Sequence, residues 1–211
     1  MRFVRYEDPL GEIKTGWVMD DQTGIVDGSI FGEFRRSEAN LSLSSLQLLP
    51  PIHPTKIICV GLNYVAHAEE HEAESPEIPL IFLKPPSSLI GHDANIVLPP
   101  QSSQVEHEAE LAVVIGKRGR WISPDEASEH ILGYSIANDV TARDLQRQDG
   151  QWTRGKGFDT FCPLGPWLET DFNAADSLIT CVVNGETRQM ASTRDMVFNV
   201  QQIVAFSSSV M

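Results

Sequence analysis

Hydrophobic and polar positions alternate along much of the first fifty residues. Arg2–Tyr6 and Thr15–Met19 show the period of a half-buried strand, in which successive side chains point to opposite faces. Asp20–Gly24 carries the polar and glycine residues that favour a turn before the next apolar pair. Leu49–Pro54 is rich in proline, which fixes φ and blocks a helix. The pattern predicts a small β-rich N-terminal domain over residues 1–52.

The remaining residues, 53–211, mix apolar strands with a smaller number of helices. Strands are predicted at Lys56–Val60, Pro79–Lys84, Val105–Gly116, Tyr134–Val140 and Ile179–Val183, the last one entering a hairpin turn at Asn184-Gly185. Helices are predicted at about 64–74, from Ser123 to Gly133, from about Thr141 and over Val200–Val210, with a glycine-rich loop at Gly150–Pro166. Because strands outnumber helices and rarely alternate with them, the chain is predicted to be α+β and mainly β.

Composition and charge narrow the classes of partner. With 41% hydrophobic and 21% charged residues, the 211-residue chain has the balance of a folded globular protein. It contains no apolar run of membrane-spanning length and no signal-like N-terminal block, so a cytoplasmic location is expected. The net charge of −13 disfavours binding to nucleic acid or to anionic membranes. It also repels acidic ligands, so a site for an acid must supply local cations.

The most distinctive segment is the acidic start of the strand predicted at 105–116. Glu106, Glu108 and Glu110 share one face if the strand is regular, and the following Leu111–Ile115 is entirely apolar. Two carboxylates about 4 Å apart repel each other by ~4 kcal/mol at an effective dielectric near 20. Such a pair, once buried, must take up a proton or hold a cation, and carboxylate oxygens suit Mg²⁺, Mn²⁺ or Ca²⁺. A solvated acidic edge is the alternative interpretation.

A further acidic residue, Asp139, ends the next predicted strand. It is a candidate third ligand. The alternative is that Asp139 or Thr141 only caps the helix that follows.

The segment predicted to be helical at 64–74 carries His67, Glu70 and His71. The spacing matches the H-x-x-E-H pattern of inverted zinc proteases, although no clear further ligand follows. A second interpretation makes His67 and Glu70 a dyad, because residues three apart meet on one helix face and a carboxylate raises the basicity of an imidazole. An ordinary solvated helix is the third.

Two basic residues, Arg154 and Lys156, lie among glycines in an acidic protein. Lys156 is a candidate to bind a carboxylate or a developing oxyanion. Arg143 is a candidate for the same role, because its forked guanidinium can donate two parallel hydrogen bonds. The alternative is that these side chains serve solubility. The three cysteines show neither a CxxC pair nor zinc-ligand spacing, so they are interpreted as reduced and structural.

Five segments follow one another in a recognisable order. They are Gly61–His67 (GLNYVAH), Phe82–Pro85 (FLKP), Glu108–Lys117 (EAELAVVIGK), Asn138–Asp144 (NDVTARD) and Lys156–Thr160 (KGFDT). Together they resemble the fumarylacetoacetate hydrolase (FAH) family over residues 56 to about 190. The N-terminal unit is similar to the small leading domain of bacterial members, so residues 53–211 are expected to be the catalytic domain.

The resemblance implies a mixed β-sandwich roll that is usually a homodimer. It also implies that Glu108, Glu110 and Asp139 are the ligands of a divalent metal, with Mg²⁺ expected and Mn²⁺ or Ca²⁺ as alternatives. Glu106 is then a neighbour of the site and not a ligand.

The same resemblance implies roles for the candidate catalytic residues. His67 and Glu70 match the family's water-activating pair, and Lys156 matches a lysine beside the metal. Gln146 matches a polar position on the substrate side, where Arg143 is also expected to bind substrate.

The resemblance implies hydrolytic cleavage of a C–C bond in a small 2-oxo or diketo acid, through an enolate that the metal stabilises as a Lewis acid. The same enolate, without attack by water, serves an isomerase, a tautomerase or a decarboxylase acting on an oxaloacetate-type or hydroxymuconate-type diacid. An impaired, non-catalytic homologue is a further alternative.

One departure concerns the C-terminal end. Family members continue into strands with a T-G-T-P-x-G-like loop that closes over the substrate, whereas this sequence ends at Met211 after a predicted amphipathic helix. Either the protein is a shortened form or the sequence is part of a longer chain. We expect the latter, because Val200, Ile203, Val204 and Phe206 would otherwise lack much of their core. The intact mass of the native protein tests this expectation.

Overall fold

The structure of the protein is a computed structural model, and it describes residues 1–64 and 76–211. The strands are β1 (Arg2–Glu7), β2 (Ile13–Met19), β3 (Gln22–Gly28), β4 (Phe34–Arg36), β5 (Leu41–Ser42), β6 (Gln47–Leu49), β7 (Ile57–Gly61), β8 (Leu80–Lys84), β9 (Leu89–Ile90), β10 (Val105–Glu106), β11 (Ala109–Ile115), β12 (Ile131–Asn138), β13 (Thr141–Ala142), β14 (Cys162–Glu169), β15 (Leu178–Val183) and β16 (Glu186–Ser192). The α-helices are α1 (Arg143–Asp149), α2 (Thr153–Lys156) and α3 (Val200–Val210). None of the helices in the described ranges combines the length and the apolar character needed to cross a membrane.

One large sheet organises the described residues. Its main path runs β11-β12-β14-β1-β2-β3-β4, and β5, β6 and β9 pair off this path. The N-terminal strand β1 joins the sheet through Phe3, which lies opposite Leu168 of β14. These two residues also pack in one buried cluster with Val26 and Val114. The prediction of an α+β, mainly β fold is therefore confirmed. The domain division at residues 52/53 stays a prediction, and the large sheet contains strands from both sides of it.

Several predicted elements are found close to their expected bounds. The strands predicted at the N-terminus, at 56–60 and at 79–84 correspond to β1, β2, β7 and β8. The predicted hairpin is formed by β15 and β16 around Asn184 and Gly185, both with positive φ, as a tight hairpin turn requires. The final helix is capped by Asn199, whose side chain accepts from the backbone N–H of Gln202. On that helix, Val200 and Val204 are buried against Ala127.

The helix predicted from Ser123 to Gly133 is wrong. Only a 3-10 turn forms, at Ala127–His130, and Gly133 lies inside β12. The Glu126 carboxylate accepts from the Ser123 N–H at 3.3 Å and from its hydroxyl at 2.7 Å, which is only one half of a capping box. Glycine is needed at 133 for close strand packing, because a Cβ there would lie 2.5 Å from the carbonyl oxygen of Glu169.

The loop predicted at Gly150–Pro166 is also wrong, because it contains α2 and the start of β14. Gly155 allows α2 to pack on α1, since a Cβ at this position would lie 2.9 Å from the backbone nitrogen of Gln146. The glycine therefore serves helix packing, and the close contact brings Lys156 beside α1. The turn predicted at 20–24 is shorter than expected, since β3 already begins at Gln22.

The single strand predicted at Val105–Gly116 is broken into β10 and β11. β10 pairs with β13, whereas β11 pairs with β12. At the break, the backbone N–H of Glu108 donates to the Asn138 side chain at 3.0 Å, and the carbonyl of Glu108 accepts from the N–H of Asp139 at 2.8 Å. This exchange joins the two acidic segments of the sequence at one point.

Candidate active site

A cavity of about 240 Å³ lies where the break between β10 and β11 meets the end of β12 and the helices α1 and α2. Six of the eight predicted site residues line it: Glu108, Glu110, Asp139, Arg143, Gln146 and Lys156. The other two, His67 and Glu70, lie outside the described residues, as does His71 of the zinc interpretation. Distant segments of the sequence therefore converge on one small site.

Glu108 is held by two cations. Its carboxylate lies 2.9 Å from Lys156 Nζ and 2.7 Å from Arg143 Nη2, and the Thr141 hydroxyl donates to it at 3.3 Å. Burial favours the neutral acid, but the charges and hydrogen bonds of Lys156 and Arg143 outweigh burial and lower the pKa of Glu108. Glu108 is thus an ionised carboxylate whose charge the chain itself neutralises.

Asp139 lies between two lysines. Its Oδ1 is 2.6 Å from Lys84 Nζ, and its Oδ2 is 2.7 Å from Lys156 Nζ. Lys84 is only 2% exposed and also donates to the carbonyl of Val140 at 3.2 Å. Sequence reasoning gave Lys84 no role beyond its place in the FLKP segment. The available signal was a lysine at the end of an apolar strand, the same kind of signal that identified Asp139.

Glu110 differs from both neighbours. Its carboxylate makes no hydrogen bond or ion pair within the described part of the chain. Burial, and then the charges of Glu108 and Asp139, raise its pKa from 4.5 to about 8. In the metal-free protein, Glu110 therefore holds a proton at neutral pH.

The donor set fits a hard divalent cation. Glu108, Glu110 and Asp139 supply only carboxylate oxygens, which are the ligands that Mg²⁺, Mn²⁺ and Ca²⁺ prefer. Within residues 1–64 and 76–211, no three acidic, histidine or cysteine side chains have the spacing of a formed metal cluster. The ammonium of Lys156 bridges Glu108 and Asp139 instead. The buried Glu110 carboxyl, without a cation of its own, is the feature that a bound metal would satisfy.

Arg143 is already engaged by protein groups. Its guanidinium donates from Nε to Glu106 at 2.9 Å and from Nη1 to Gln146 at 2.9 Å, in addition to its ion pair with Glu108. It is 6% exposed, so it acts as a buried clamp between α1 and the acidic segment. Burial alone would raise the pKa of Glu106. The hydrogen bonds that Glu106 accepts from Arg143 and Gln104 outweigh burial and lower this pKa. The substrate-binding roles of Arg143 and Gln146 stay predictions.

Aromatic rings form one wall of the cavity. Phe82 and Trp152 meet edge to face with their ring centroids 5.2 Å apart. Lys156 Nζ lies 5.0 Å from the Phe82 centroid and 5.9 Å from that of Trp152, a favourable arrangement for a cation. Gly61 leaves room for the indole, because a Cβ there would lie 2.5 Å from Trp152 Cζ3.

Comparison with known proteins identifies the family to which the chain belongs. The family model described as fumarylacetoacetate (FAA) hydrolase, C-terminal, matches residues 56–211, and the model described as Rv2993c-like, N-terminal, matches residues 1–51. The chain belongs to the fumarylacetoacetate hydrolase family, as its motifs predicted.

Relatives in this family carry several descriptions. Protein MJ1656 of Methanocaldococcus jannaschii is 54% identical over 160 residues, which are 76% of this chain and 68% of that protein. The mitochondrial oxaloacetate tautomerase FAHD2A of Bos taurus is 46% identical over 238 residues, covering 99% of this chain and 76% of the relative. The chain also matches the crystal structure of 5-carboxymethyl-2-hydroxymuconate delta-isomerase from Mycobacterium smegmatis, with a TM-score of 0.91 and 40% sequence identity. The match covers 100% of this chain and 83% of the isomerase chain.

Proposed function

We propose that the protein is a divalent-metal-dependent tautomerase or isomerase that acts on a small 2-oxo dicarboxylate of the oxaloacetate type. The observation that carries the proposal is the trio of carboxylates in one cavity, of which Glu110 is buried with no cation of its own. Two relatives described as an oxaloacetate tautomerase and a hydroxymuconate isomerase support this reaction class.

Keto–enol exchange moves one proton between the carbon beside the 2-oxo group and the 2-oxo oxygen: the keto form loses it from carbon and the enol form carries it on oxygen. A divalent metal bound by Glu108, Glu110 and Asp139 would supply a Lewis acid that makes this C–H more acidic. Lys156 brings a buried ammonium to the same cavity, where it would stabilise negative charge developing on the substrate oxygen. Phe82 and Trp152 give the cavity an apolar wall beside these groups.

Tyr64 is a further protein donor at the cavity. Its hydroxyl is buried and has no hydrogen-bond partner among the described residues. Burial, followed by the charges of Glu110 and Asp195, raises the pKa of Tyr64 far above its usual value. The hydroxyl therefore stays protonated, and it is available to donate a hydrogen bond to a substrate oxygen.

Hydrolysis, the reaction that the sequence motifs favoured, is the second candidate. It needs an activated water in addition to the groups above, and the sequence carries His67 and Glu70, which match a water-activating pair. Tautomerisation needs no such water. The two reactions therefore make different demands on His67.

The test measures decay of the enol of oxaloacetate by ultraviolet absorbance, with and without Mg²⁺, in parallel with cleavage of acetylpyruvate. We expect metal-dependent tautomerisation that falls by at least about 100-fold in Glu110→Gln, since the loss of one ligand removes several kcal/mol of Lewis-acid stabilisation. Glu106→Gln, altered at the acid predicted not to be a ligand, should retain most of the activity.

His67→Ala separates the two candidate reactions. A hydrolase should lose acetylpyruvate cleavage in this variant. If the wild-type chain cleaves acetylpyruvate and leaves the enol of oxaloacetate untouched, the tautomerase proposal is wrong.

Calorimetry with Mg²⁺, Mn²⁺ and Ca²⁺ ranks the metals, of which we propose Mg²⁺ as the physiological ion. We also propose a homodimer, which light scattering tests, and a cytoplasmic location, which fractionation of the native source tests.

A further inference from the structure

Helix α1 presents two arginines to the cavity. Arg143 and Arg147 are four residues apart, which places them one above the other on the same helix face, and both line the cavity. Arg143 is buried, whereas Arg147 is exposed at the rim. One helix thus supplies a cation at depth and a cation at the entrance.

The charges of these two arginines are used differently. Arg143 forms ion pairs with Glu106 and Glu108. Lys156, the other cation of the cavity, forms ion pairs with Glu108 and Asp139. Of the cationic side chains that line the cavity in the described ranges, Arg147 is the one without a salt bridge.

The partner of Arg147 is neutral. Its guanidinium donates to the amide oxygen of Gln104, while the amide nitrogen of Gln104 donates to Glu106 at 2.6 Å. The Glu106 carboxylate accepts hydrogen bonds from Gln104 and Arg143. Gln104 thus holds Arg147 at the rim, where the arginine forms no direct ion pair within the described residues.

A cation without a direct ion pair at this position matters because the protein carries a net charge of −13. That field repels a dianionic substrate, and a local cation at the entrance offsets the repulsion. The cavity, at about 240 Å³, is smaller than the ~300–1,000 Å³ of sites for drug-sized ligands. Its size and charge suit a short acid with a second negative group.

We propose that Arg147 determines specificity by binding the distal carboxylate of a 2-oxo dicarboxylate whose 2-oxo acid end lies at Glu108, Glu110 and Asp139. The planar guanidinium can bind that carboxylate through two parallel N–H bonds, an arrangement that favours Arg over Lys. This inference rests on the proposed function and adds the choice of a dicarboxylate over a monocarboxylate.

Three probes that share one end test the assignment on the full chain with Mg²⁺. Oxaloacetate has the distal carboxylate, acetylpyruvate has a neutral acetyl group of similar shape in its place, and oxalate has no distal group. In Arg147→Met we expect the affinity for oxaloacetate to fall about 10- to 100-fold, as for the loss of a charged hydrogen-bonded pair. The affinities for acetylpyruvate and oxalate should stay within about 2-fold of wild type.

Two further variants serve as comparisons. Arg147→Lys keeps the charge without the fork and should recover part of the affinity for oxaloacetate. Arg120→Met removes an arginine that packs on Trp121 and does not line the cavity, so it should change none of the three affinities.

The outcomes distinguish failure of the proposed function from failure of the role assigned to Arg147. If the wild-type chain with Mg²⁺ does not bind oxalate, the proposed function fails and the role of Arg147 fails with it. If oxalate binds normally and Arg147→Met weakens oxaloacetate and acetylpyruvate equally, or weakens neither, the assignment of Arg147 alone is overturned.

Discussion

Glu108 and Glu110 are two residues apart and line the same cavity, yet their surroundings are opposite. Glu108 is paired with Lys156 and Arg143, which lower its pKa. Glu110 has no such partner within the described residues, and burial raises its pKa to about 8. Neither the residue type nor the period of the strand distinguishes the two.

The difference lies in whether the protein's own cations reach the buried carboxylate. A buried carboxylate paired with the protein's own cations contributes to the folded state, whereas an unpaired one must be protonated or meet a metal. Glu108 is neutralised by the chain's own cations, whereas Glu110 would ionise only if a metal bound there, as the proposed function requires. The proposal therefore gives the two acids different roles, although their residue type is the same.

The largest expected effect concerns the stability of the metal-free protein. Glu108→Gln removes the charge that Lys156 and Arg143 neutralise, so we expect the free energy of unfolding to fall by about 3 kcal/mol. Glu110→Gln replaces a carboxyl that is already neutral, so its effect should stay within about 1 kcal/mol. Urea unfolding of both variants in EDTA measures the difference. Equal losses in the two variants would show that the contrast between the two acids has no energetic meaning.

The second effect reverses the order of the two acids. In wild type, Mg²⁺ at 100 times its Kd should stabilise the fold by about 2.7 kcal/mol. In Glu110→Gln we expect this gain to drop below about 1 kcal/mol, although the metal-free fold is intact. Thermal unfolding with and without Mg²⁺ provides the measurement, and Glu106→Gln is the control that should keep the full gain. A full gain in Glu110→Gln would remove Glu110 from the ligand set.

The sequence anticipated which residues line the candidate cavity better than it anticipated their contacts. Motif resemblance named Glu108, Glu110 and Asp139, and all three line one cavity. Strand periodicity, however, placed Glu106 on the same face, because it could not anticipate the break at His107-Glu108 that the Asn138 side chain stabilises.

Long-range packing explains the other errors. Gly133 looks like a helix end in sequence, but its lack of a Cβ serves contact with Glu169 on a distant strand. The buried pair of Lys84 and Asp139 joins residues 55 positions apart, and no local pattern reports it. Local capping and turn signals predict elements well only where tertiary contacts do not compete with them.

The third effect tests how Lys156 is kept beside Glu108. Gly61→Ala should push the Trp152 indole out of its position, because the new Cβ would lie 2.5 Å from its Cζ3. We expect a loss of about 1 kcal/mol from overpacking and a several-fold weaker binding of oxalate, as Lys156 loses part of its aromatic support. Urea unfolding and calorimetry measure the two quantities.

Gly32→Ala is the matched control for Gly61→Ala, since a Cβ at Gly32 meets nothing within 4 Å. It should change neither stability nor oxalate binding. An unchanged Gly61→Ala variant would mean that the indole wall does not support Lys156.

The smallest effect comes from a third way of holding a carboxylate. Asp144 on α1 is bound by neutral donors: the Ser102 hydroxyl at 2.6 Å and the Ser103 backbone N–H at 2.9 Å. These bonds lower the pKa of Asp144 from 3.8 to about 2. The folded state therefore binds fewer protons than the unfolded state between these values, so the stabilisation is present above pH 4 and is lost as the pH falls towards 2.

Asp144→Asn should be less stable than wild type at neutral pH, and the difference between the two should shrink as the pH falls from 4 to 2. Because no cation takes part, Mg²⁺ should leave this difference unchanged, unlike the difference between wild type and Glu110→Gln. Urea midpoints at several pH values, with and without Mg²⁺, provide the test. A difference that is independent of pH would mean that Asp144 acts through its shape and not through its charge. The comparison would then reduce to the two acids of the cavity, where paired cations offset burial at Glu108 and burial prevails at Glu110.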